Sequence, residues 1–293
     1  MSDDAFSTLP ERGPVALLDL VETKNQDRLR AFVASLTRLA GETGGRVMLA
    51  NEAIAPMIVP DDEAGRSDDA IGMLVVSQYP TREAGRIALS NRKKQAPSLS
   101  DEDVRTYAAQ PVGRIESLIG RTLPYTLGLL KRVPVPKIDD TAGLDALIER
   151  ARVLGEQPDE TRWARLAERA GDRPIWMLNF LEFSETAVYA EGSHDAAPAA
   201  PISGARAYRR YGSGMIGSLA AVGGRVAWSG LKIGQLTGPE DGPWHQVAIA
   251  LYPSAVAMMT MLARPAYRAA HVHRNAALAR TRLLATQPIQ RPA

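Results

Sequence analysis

The feature that most constrains this chain is an apolar strand sequence that occurs twice. Pro174 to Glu182 reads PIWMLNFLE, and Pro14 to Glu22, 160 positions earlier, reads PVALLDLVE. Successive side chains point to opposite faces of a strand, and both sets are apolar here, so each strand belongs in a sheet covered on both sides. One polar residue interrupts each strand, Asn179 in the later copy and Asp19 in the earlier. A buried polar side chain needs a hydrogen-bond partner, from the fold or from a bound molecule.

Two further landmarks follow each strand in the same order. GGRV occurs at Gly44 to Val47 and again at Gly223 to Val226. Tyr-Pro with a following hydroxyl residue occurs at Tyr79 to Thr81 and at Tyr252 to Ser254. Three landmarks in one order predict an internal duplication of a unit of roughly 120 residues.

Composition excludes several classes of protein. With 293 residues the chain can form two modest domains, and without cysteine it has no disulfides, thiolate nucleophiles or cysteine-ligated metals. A net charge of +2 gives no footprint for nucleic acid, and the apolar runs are too short for a membrane helix. We therefore expect a cytoplasmic protein with a small-molecule partner, as a monomer or a homodimer. The cluster Arg92-Lys93-Lys94 is interpreted as a solvated helix end.

Periodicity predicts the same order of elements in both halves. Residues 1–135 form the N-terminal unit, 136–171 a helical linker and 172–293 the C-terminal unit. In the first unit we predict a strand at 15–21, a helix at 25–39, a strand at 47–59 placed at a sheet edge because of Pro56, a strand at 71–78, a helix capped by Thr81, a helix at 101–119 and a closing strand at 125–133. After linker helices at 144–154 and 160–170, the second unit has a strand at 174–183, a long loop at 184–204, a helix at 205–222, strands at 226–236 and 245–252, a helix bent near Pro265 and a closing strand at 281–286.

A βαββαβ unit is the ferredoxin-like split motif, an antiparallel sheet with both helices on one face. The bare face needs a partner, and a second covalently linked copy can supply it. The predicted fold is therefore α+β, with two ferredoxin-like units packed sheet to sheet into one α–β barrel.

The second half resembles the DUF1330 family of the dimeric α–β barrel superfamily. The resemblance rests on MLNFLEF, AYRRY, GGRV, WHQVAIALYPS and PAYRAAHVHRNAAL with TRLLAT, and covers about 120 residues of the second half. The first half has no matching Pro-x-Tyr or His-Arg near residues 92–105, and we interpret it as a degenerate copy kept for packing. The resemblance implies a fold and little chemistry, because the superfamily includes cofactor-free monooxygenases, cyclases, isomerases and haem enzymes.

One stripe of the last helix carries the candidate catalytic residues. Tyr267, His271 and Arg274 follow one another at helical spacing. His271 would act as acid or base, and Arg274 would hold an anionic or enolate oxygen. The alternative is a helix-end histidine and an arginine in surface ion pairs. His273 points elsewhere, so the two histidines do not chelate one metal, and no metal site is expected.

Five other side chains complete the candidate site. His245 is interpreted as a second base or as an exposed edge residue, and Asn179 as a pocket amide that orients a carbonyl or as a structural hydrogen-bonding group. The remaining candidates line the pocket or fill the core: Tyr208, Tyr211 and Trp228. The GxGxxG at Gly212 to Gly217 is rejected as a nucleotide motif because it follows a predicted helix.

Three functions stay open from the sequence. The first is a cofactor-free small-molecule enzyme acting on a carbonyl-containing substrate by cyclisation, isomerisation, elimination or oxygenation, with 184–204 as a lid or a disordered loop. The second is a haem protein, and the third is a non-catalytic binding or scaffold protein.

Overall fold

A computed structural model describes residues 6–60, 70–95, 99, 103–112, 133–135, 145–146, 149, 160–193 and 198–289. Its helices and strands are, in chain order, β1 (Val15–Val21), α1 (Gln26–Glu42), β2 (Arg46–Ile58), β3 (Met73–Tyr79), α2 (Arg82–Gln95), β4 (Val104–Pro111), α3 (Glu160–Ala170), β5 (Ile175–Phe183), α4 (Gly204–Ala221), β6 (Arg225–Thr237), β7 (Gln246–Tyr252), α5 (Ala255–Leu262), α6 (Pro265–Ala277) and β8 (Leu278–Pro288).

These eight strands form a closed antiparallel barrel in the order β1-β3-β2-β8-β5-β7-β6-β4. The first four strands run β4-β1-β3-β2 and the last four β8-β5-β7-β6, so both halves have the same strand order. The halves are joined by hydrogen-bonded edges, β2 with β8 and β4 with β6. Edge pairing satisfies the backbone groups that two stacked sheets would leave open.

Both faces of the repeated strands are buried, as their sequence predicts. Leu18 of β1 and Phe180 of β5 point into the barrel, where Phe180 lies 4.9 Å from the ring of Tyr107. Leu17 and Met177 belong to the opposite face, under the helices. Each strand therefore separates an interior core from a helix-covered outer core, and Asp19 and Asn179 share the outer face by strand alternation.

The repeated landmarks occupy equivalent places in the two halves. Gly44 and Gly223 follow α1 and α4 with φ of +69° and +79°, the left-handed conformation that often ends a helix. A Cβ at Gly44 would lie 3.8 Å from the Pro80 ring, and one at Gly223 would lie 3.2 Å from the Pro253 ring. The glycine and proline landmarks thus contact each other in both halves.

The prediction that Pro56 marks a sheet edge is wrong. β2 pairs with β3 on one side and with β8 on the other, where Pro56 lies opposite Leu284. The register with β8 shifts on both sides of this proline. Bulges at these shifts accommodate a residue that has no N–H to donate, so the strand continues through it.

The end of the first half also differs from the prediction of a helix at 101–119. Residues 104–111 form β4, which takes the closing position in its half. Arg105 and Thr106 suggest an exposed surface, yet they are 3% and 0% exposed, and each bonds to a buried carboxylate, Asp241 and Asp19 respectively. The predicted closing strand at 125–133 lies almost wholly outside the described residues, as does most of the predicted helix at 144–154.

The GxGxxG sequence lies inside α4, where one glycine permits close helix packing. A Cβ at Gly214 would lie 2.7 Å from the Cβ of Ala270 on α6, whereas a Cβ at Gly212 would meet nothing within 4 Å. We expect Gly214→Ala to lower the free energy of unfolding by about 1–3 kcal/mol, because the helices must separate. Gly212→Ala is the matched control and should be neutral or stabilising by up to about 1 kcal/mol. Urea unfolding measures both, and equal effects of the two changes would contradict the close contact.

Candidate functional site

A cluster of aromatic and cationic side chains fills the space between α4, α6 and the second half of the barrel. Tyr267, His271 and Arg274 of α6 are 4%, 2% and 5% exposed. The His271 ring lies 5.4 Å from the ring of Tyr267 and 6.4 Å from that of Tyr211, and Tyr211 lies 5.3 Å from Tyr208. The hydroxyl groups of Tyr211 and Tyr267 are 3.3 Å apart. The predicted stripe of α6 therefore faces the two predicted tyrosines of α4.

Burial keeps the imidazole of this cluster neutral. Burial, together with the nearby guanidinium of Arg274, lowers the pKa of His271 from 6.5 to about 3. Burial likewise raises the pKa of Tyr211, and the proximity of Tyr267 raises it further. At neutral pH the cluster thus holds one formal charge, that of Arg274, among uncharged aromatic groups.

A fourth tyrosine, which the sequence reasoning did not single out, belongs to the same cluster. Tyr252 at the end of β7 is 5% exposed, and its hydroxyl lies 3.8 Å from the sulfur of Met261. Burial raises its pKa, and so do Tyr211 and Tyr208, while Arg274 opposes the rise. Tyr252 was visible in the sequence only as part of the repeated Tyr-Pro landmark.

Arg274 has little to neutralise its charge. Among the residues that the structure describes, its only hydrogen-bond partner is the Thr281 hydroxyl at 3.3 Å, and Thr281 in turn donates to the backbone oxygen of Phe180. The C-terminal end of α6 favours a cation there by roughly 0.3–1 kcal/mol. Desolvating a guanidinium costs several kcal/mol, so the helix end cannot offset it.

In the N-terminal half, a carboxylate of the chain itself neutralises the corresponding buried arginine. Arg92 is 6% exposed and lies three residues before the end of α2, as Arg274 lies before the end of α6. Its guanidinium donates to Asp19 at 2.5 Å and to Thr106 at 2.7 Å. The prediction of a solvated helix end is therefore wrong for Arg92, because the carboxylate it pairs with lies 73 residues earlier in the chain.

Asn179 occupies the place in β5 that Asp19 has in β1. Asp19 lies opposite Val75 and Asn179 opposite Ala248 in the corresponding strand pairs. The Asn179 amide donates to the backbone oxygen of Met177 at 3.1 Å and, at 3.5 Å, to that of Ala248. The second half therefore carries a neutral amide where the first carries a carboxylate.

The structure does not bring the other two predicted residues into the cluster. His245 is exposed, its Nδ1 accepts from the backbone N–H of Phe183 at 2.8 Å, and its ring stacks on Phe183. Trp228 packs in the barrel interior, on the opposite side of the sheet. A bulge between Val226 and Trp228 changes the face, and β2 has the same irregularity before Leu49.

The described residues of the 184–204 segment are ordered against α6. Backbone N–H groups of Ser184 and Val188 donate to Ala277 and Ala276, at 2.9 Å each. Tyr189 bonds through its hydroxyl to Nδ1 of His273 at 2.8 Å. The segment also packs beside Tyr208, the least buried tyrosine of the cluster, so it covers the side from which that cluster is nearest to solvent.

A second buried polar cluster, also missed by sequence reasoning, lies inside the barrel. The Asp241 carboxylate accepts from Arg282 at 2.5 and 3.0 Å, from Arg105 at 3.3 Å and from the hydroxyl of Tyr107. Because Arg105 and Tyr107 are on β4 and Arg282 is on β8, this carboxylate connects the two halves of the chain.

Comparisons with known proteins give few leads to function. No family model and no curated protein matches the chain. The RPA0582 protein of Rhodopseudomonas palustris, of unknown function, is 32% identical over 46% of this chain and 96% of its own, with a TM-score of 0.39. An anthrone oxidase-like protein is 14% identical over 96% and 93% (TM-score 0.44), and a chlorite dismutase of Candidatus Nitrospira defluvii is 10% identical over 95% and 93% (TM-score 0.42). In the part of the chain that the structure describes, no helix is long and apolar enough to cross a membrane.

Proposed function

We propose that this chain is a small-molecule enzyme that performs acid/base chemistry on a carbonyl-containing substrate without a bound cofactor. The observation that carries the proposal is a neutral imidazole, His271, beside a buried guanidinium, Arg274, in a tyrosine-walled cluster. An imidazole takes or gives a proton, and a guanidinium stabilises the oxygen on which negative charge develops. Asn179 and His245 were also proposed as catalytic, but their amide and imidazole groups bond to β-strand backbone, which favours supporting roles.

The reaction begins with removal of a proton from the carbon next to the carbonyl. The C–H bond breaks, its proton passes to a ring nitrogen of His271, and its electron pair moves into the enolate oxygen held by Arg274. Return of the proton to another carbon gives isomerisation, and attack by the enolate carbon gives cyclisation. No electrons are gained or lost overall.

The low pKa of His271 in the free protein is compatible with this step. Burial and the positive charge of Arg274 both disfavour the imidazolium ion. An enolate formed between the two groups opposes both effects, because it neutralises Arg274 and attracts the new imidazolium. Proton transfer to His271 is thus favoured only when negative charge develops on the substrate oxygen at Arg274. Without substrate, His271 stays neutral.

Substrate entry requires a local opening, because the cluster side chains are almost fully buried. The Tyr208 side and the described part of the 184–204 segment are the proposed route. That segment is fixed by a few backbone bonds and by the Tyr189–His273 contact, which are weaker than the packing of the barrel. Closure over the substrate would then exclude water from the reacting atoms.

The test is deuterium exchange into enolisable ketones, with 2-tetralone and phenylacetone as probes followed by NMR in D₂O. We expect His271→Gln to lower the enzyme-dependent exchange rate by roughly 10²-fold. Arg268→Gln, at an exposed position of the same helix, is the control and should keep the normal rate. The pH profile of kcat/KM should lack an acid limb near 6.5, because His271 stays neutral down to about pH 3. Unchanged exchange in a folded His271→Gln protein would refute the assignment.

A haem protein is the less favoured alternative. An iron-ligating imidazole must present one nitrogen to an open face, whereas His271 is 2% exposed between the rings of Tyr211 and Tyr267. The described residues therefore do not fit a haem here, and a Soret band in the purified protein would contradict that conclusion. A non-catalytic binding protein would bind the ketone probes without catalysing deuterium exchange into them.

We also propose an origin by tandem duplication of a DUF1330-like, ferredoxin-like unit. The shared strand order, the paired glycine and proline landmarks and the matching bulges before Leu49 and Trp228 support it. The two units would be residues 1–135 and 172–293, with the first as a degenerate copy that has lost the reactive histidine. A homodimer of such chains is also proposed.

A further inference from the structure

We infer that the ligand of this site carries a carboxylate, which pairs with Arg274 as Asp19 pairs with Arg92 in the other half of the chain. This rests on the proposed site, and it extends the proposal from any carbonyl compound to an oxo acid with an aromatic body.

The two arginines provide an internal comparison. They are equally buried, at 6% for Arg92 and 5% for Arg274, and each lies three residues before the end of a helix, α2 for Arg92 and α6 for Arg274. Arg92 has a carboxylate at 2.5 Å, whereas Arg274 has one hydroxyl at 3.3 Å among the described residues. A buried cation is stable when paired, so the first half supplies its own anion and the second is built to receive one.

The residue at the equivalent strand position also differs between the two halves. Asn179 stands where Asp19 stands, and an amide in place of the carboxylate leaves the charge of Arg274 available to a ligand. Five described groups that interact with Arg274 are uncharged: Tyr208, Tyr211, Tyr252, Tyr267 and neutral His271. Their hydroxyl groups can donate to a carboxylate, and their rings suit a planar apolar body.

An oxo acid also satisfies the proposed chemistry. Arginine offers five donors in a planar fork, so one guanidinium can bind a carboxylate oxygen and the enolate oxygen of a 2-oxo or 3-oxo acid together. The carboxylate then fixes the orientation, and the proton to be removed lies on the side of His271. Phenylpyruvate is an enolisable member of this class.

Binding of matched pairs tests the charge requirement directly. The probes are 3-phenylpropanoate and 2-naphthoate, each compared with its carboxamide, by titration calorimetry on the full chain. We expect each carboxylate to bind roughly 30-fold or more tightly than its amide, and Arg274→Gln to abolish that preference. Failure of both carboxylates to bind, or equal binding of acid and amide, overturns the inference.

The decisive variant is Asn179→Asp, which installs in the second half the carboxylate that the first half has. It should stabilise the protein without ligand and weaken carboxylate binding by roughly 30-fold, while Asn179→Ser, the uncharged control, should not stabilise the protein and should weaken binding far less than Asn179→Asp. Normal carboxylate affinity in a folded Asn179→Asp protein contradicts the inference. The proposed function fails separately, if His271→Gln leaves exchange into neutral ketones unchanged.

Discussion

Replacing Asp241 by Asn should lower the free energy of unfolding by roughly 3–5 kcal/mol. Its side chain is completely buried inside the barrel and accepts two hydrogen bonds from Arg282 and one from Arg105. Asparagine keeps the shape but removes the charge, so two guanidinium groups that are 4% exposed lose a shared anion, although Arg105 still pairs with Glu22 at 2.5 Å. Losing one partner of a buried ionic network costs more than the network contributes overall, because the remaining charges stay desolvated.

Glu240→Gln is the matched control for this change. Glu240 precedes Asp241 in the same loop but is exposed, so its neutralisation should alter stability by less than about 0.5 kcal/mol. Urea unfolding followed by circular dichroism measures both variants. A cost below about 1 kcal/mol for Asp241→Asn would show that the buried arginines are neutralised by other groups.

The loss should also be visible in how the two halves cooperate. Asp241 lies between β6 and β7, yet it bonds to Tyr107 of β4 and to Arg282 of β8. β4 and β6 form one of the two seams at which the N-terminal and C-terminal strands meet. We expect hydrogen exchange in β4 and β6 to accelerate more than in β1 and β5, because seam strands open first when their connection weakens.

The fold could be read from the sequence because its signals are local and occur twice. The strands at Pro14 and Pro174, the glycines that end α1 and α4, and the Tyr-Pro landmarks depend on neighbouring residues only. The errors concern long-range pairing. The prediction of a helix at β4 was wrong, because Arg105 and Thr106 suggest a surface until their buried carboxylate partners, Asp241 and Asp19, are known.

The candidate site was predictable to the extent that helical spacing defines it. Tyr267, His271 and Arg274 share one face of α6, as their spacing requires, and that face meets Tyr211. Trp228 was predicted to line the pocket or fill the core, and a one-residue bulge places it in the core of the barrel interior; hydrophobic periodicity cannot reveal a bulge. That Arg274 pairs with no carboxylate among the described residues emerges only from comparison with Arg92 in three dimensions.

The second large effect is expected at the Asp19–Arg92 ion pair, the counterpart of Arg274 in the first half. Asp19→Ala should destabilise the protein by roughly 3–5 kcal/mol, because Arg92, which is 6% exposed, would keep only Thr106 as a hydrogen-bond partner among the described residues. The double change of Asp19→Leu with Arg92→Met removes both charges and restores apolar packing against Phe32, whose ring lies 5.9 Å from the Arg92 guanidinium. The double variant should therefore lie within about 1.5 kcal/mol of the original protein.

The comparison of these two variants also bears on Arg274 in the second half. If a buried arginine in this position tolerated the loss of its carboxylate, with a cost below about 1 kcal/mol for Asp19→Ala, then Arg274 would need no ligand anion to explain it. A large single cost, removed by the second change, means that the fold tolerates an uncompensated Arg274 only at the expense of stability. A binding site that keeps a buried charge for its ligand carries this loss of stability until the ligand binds. Addition of 2-naphthoate should therefore raise the Tm of the original protein but not that of Arg274→Gln.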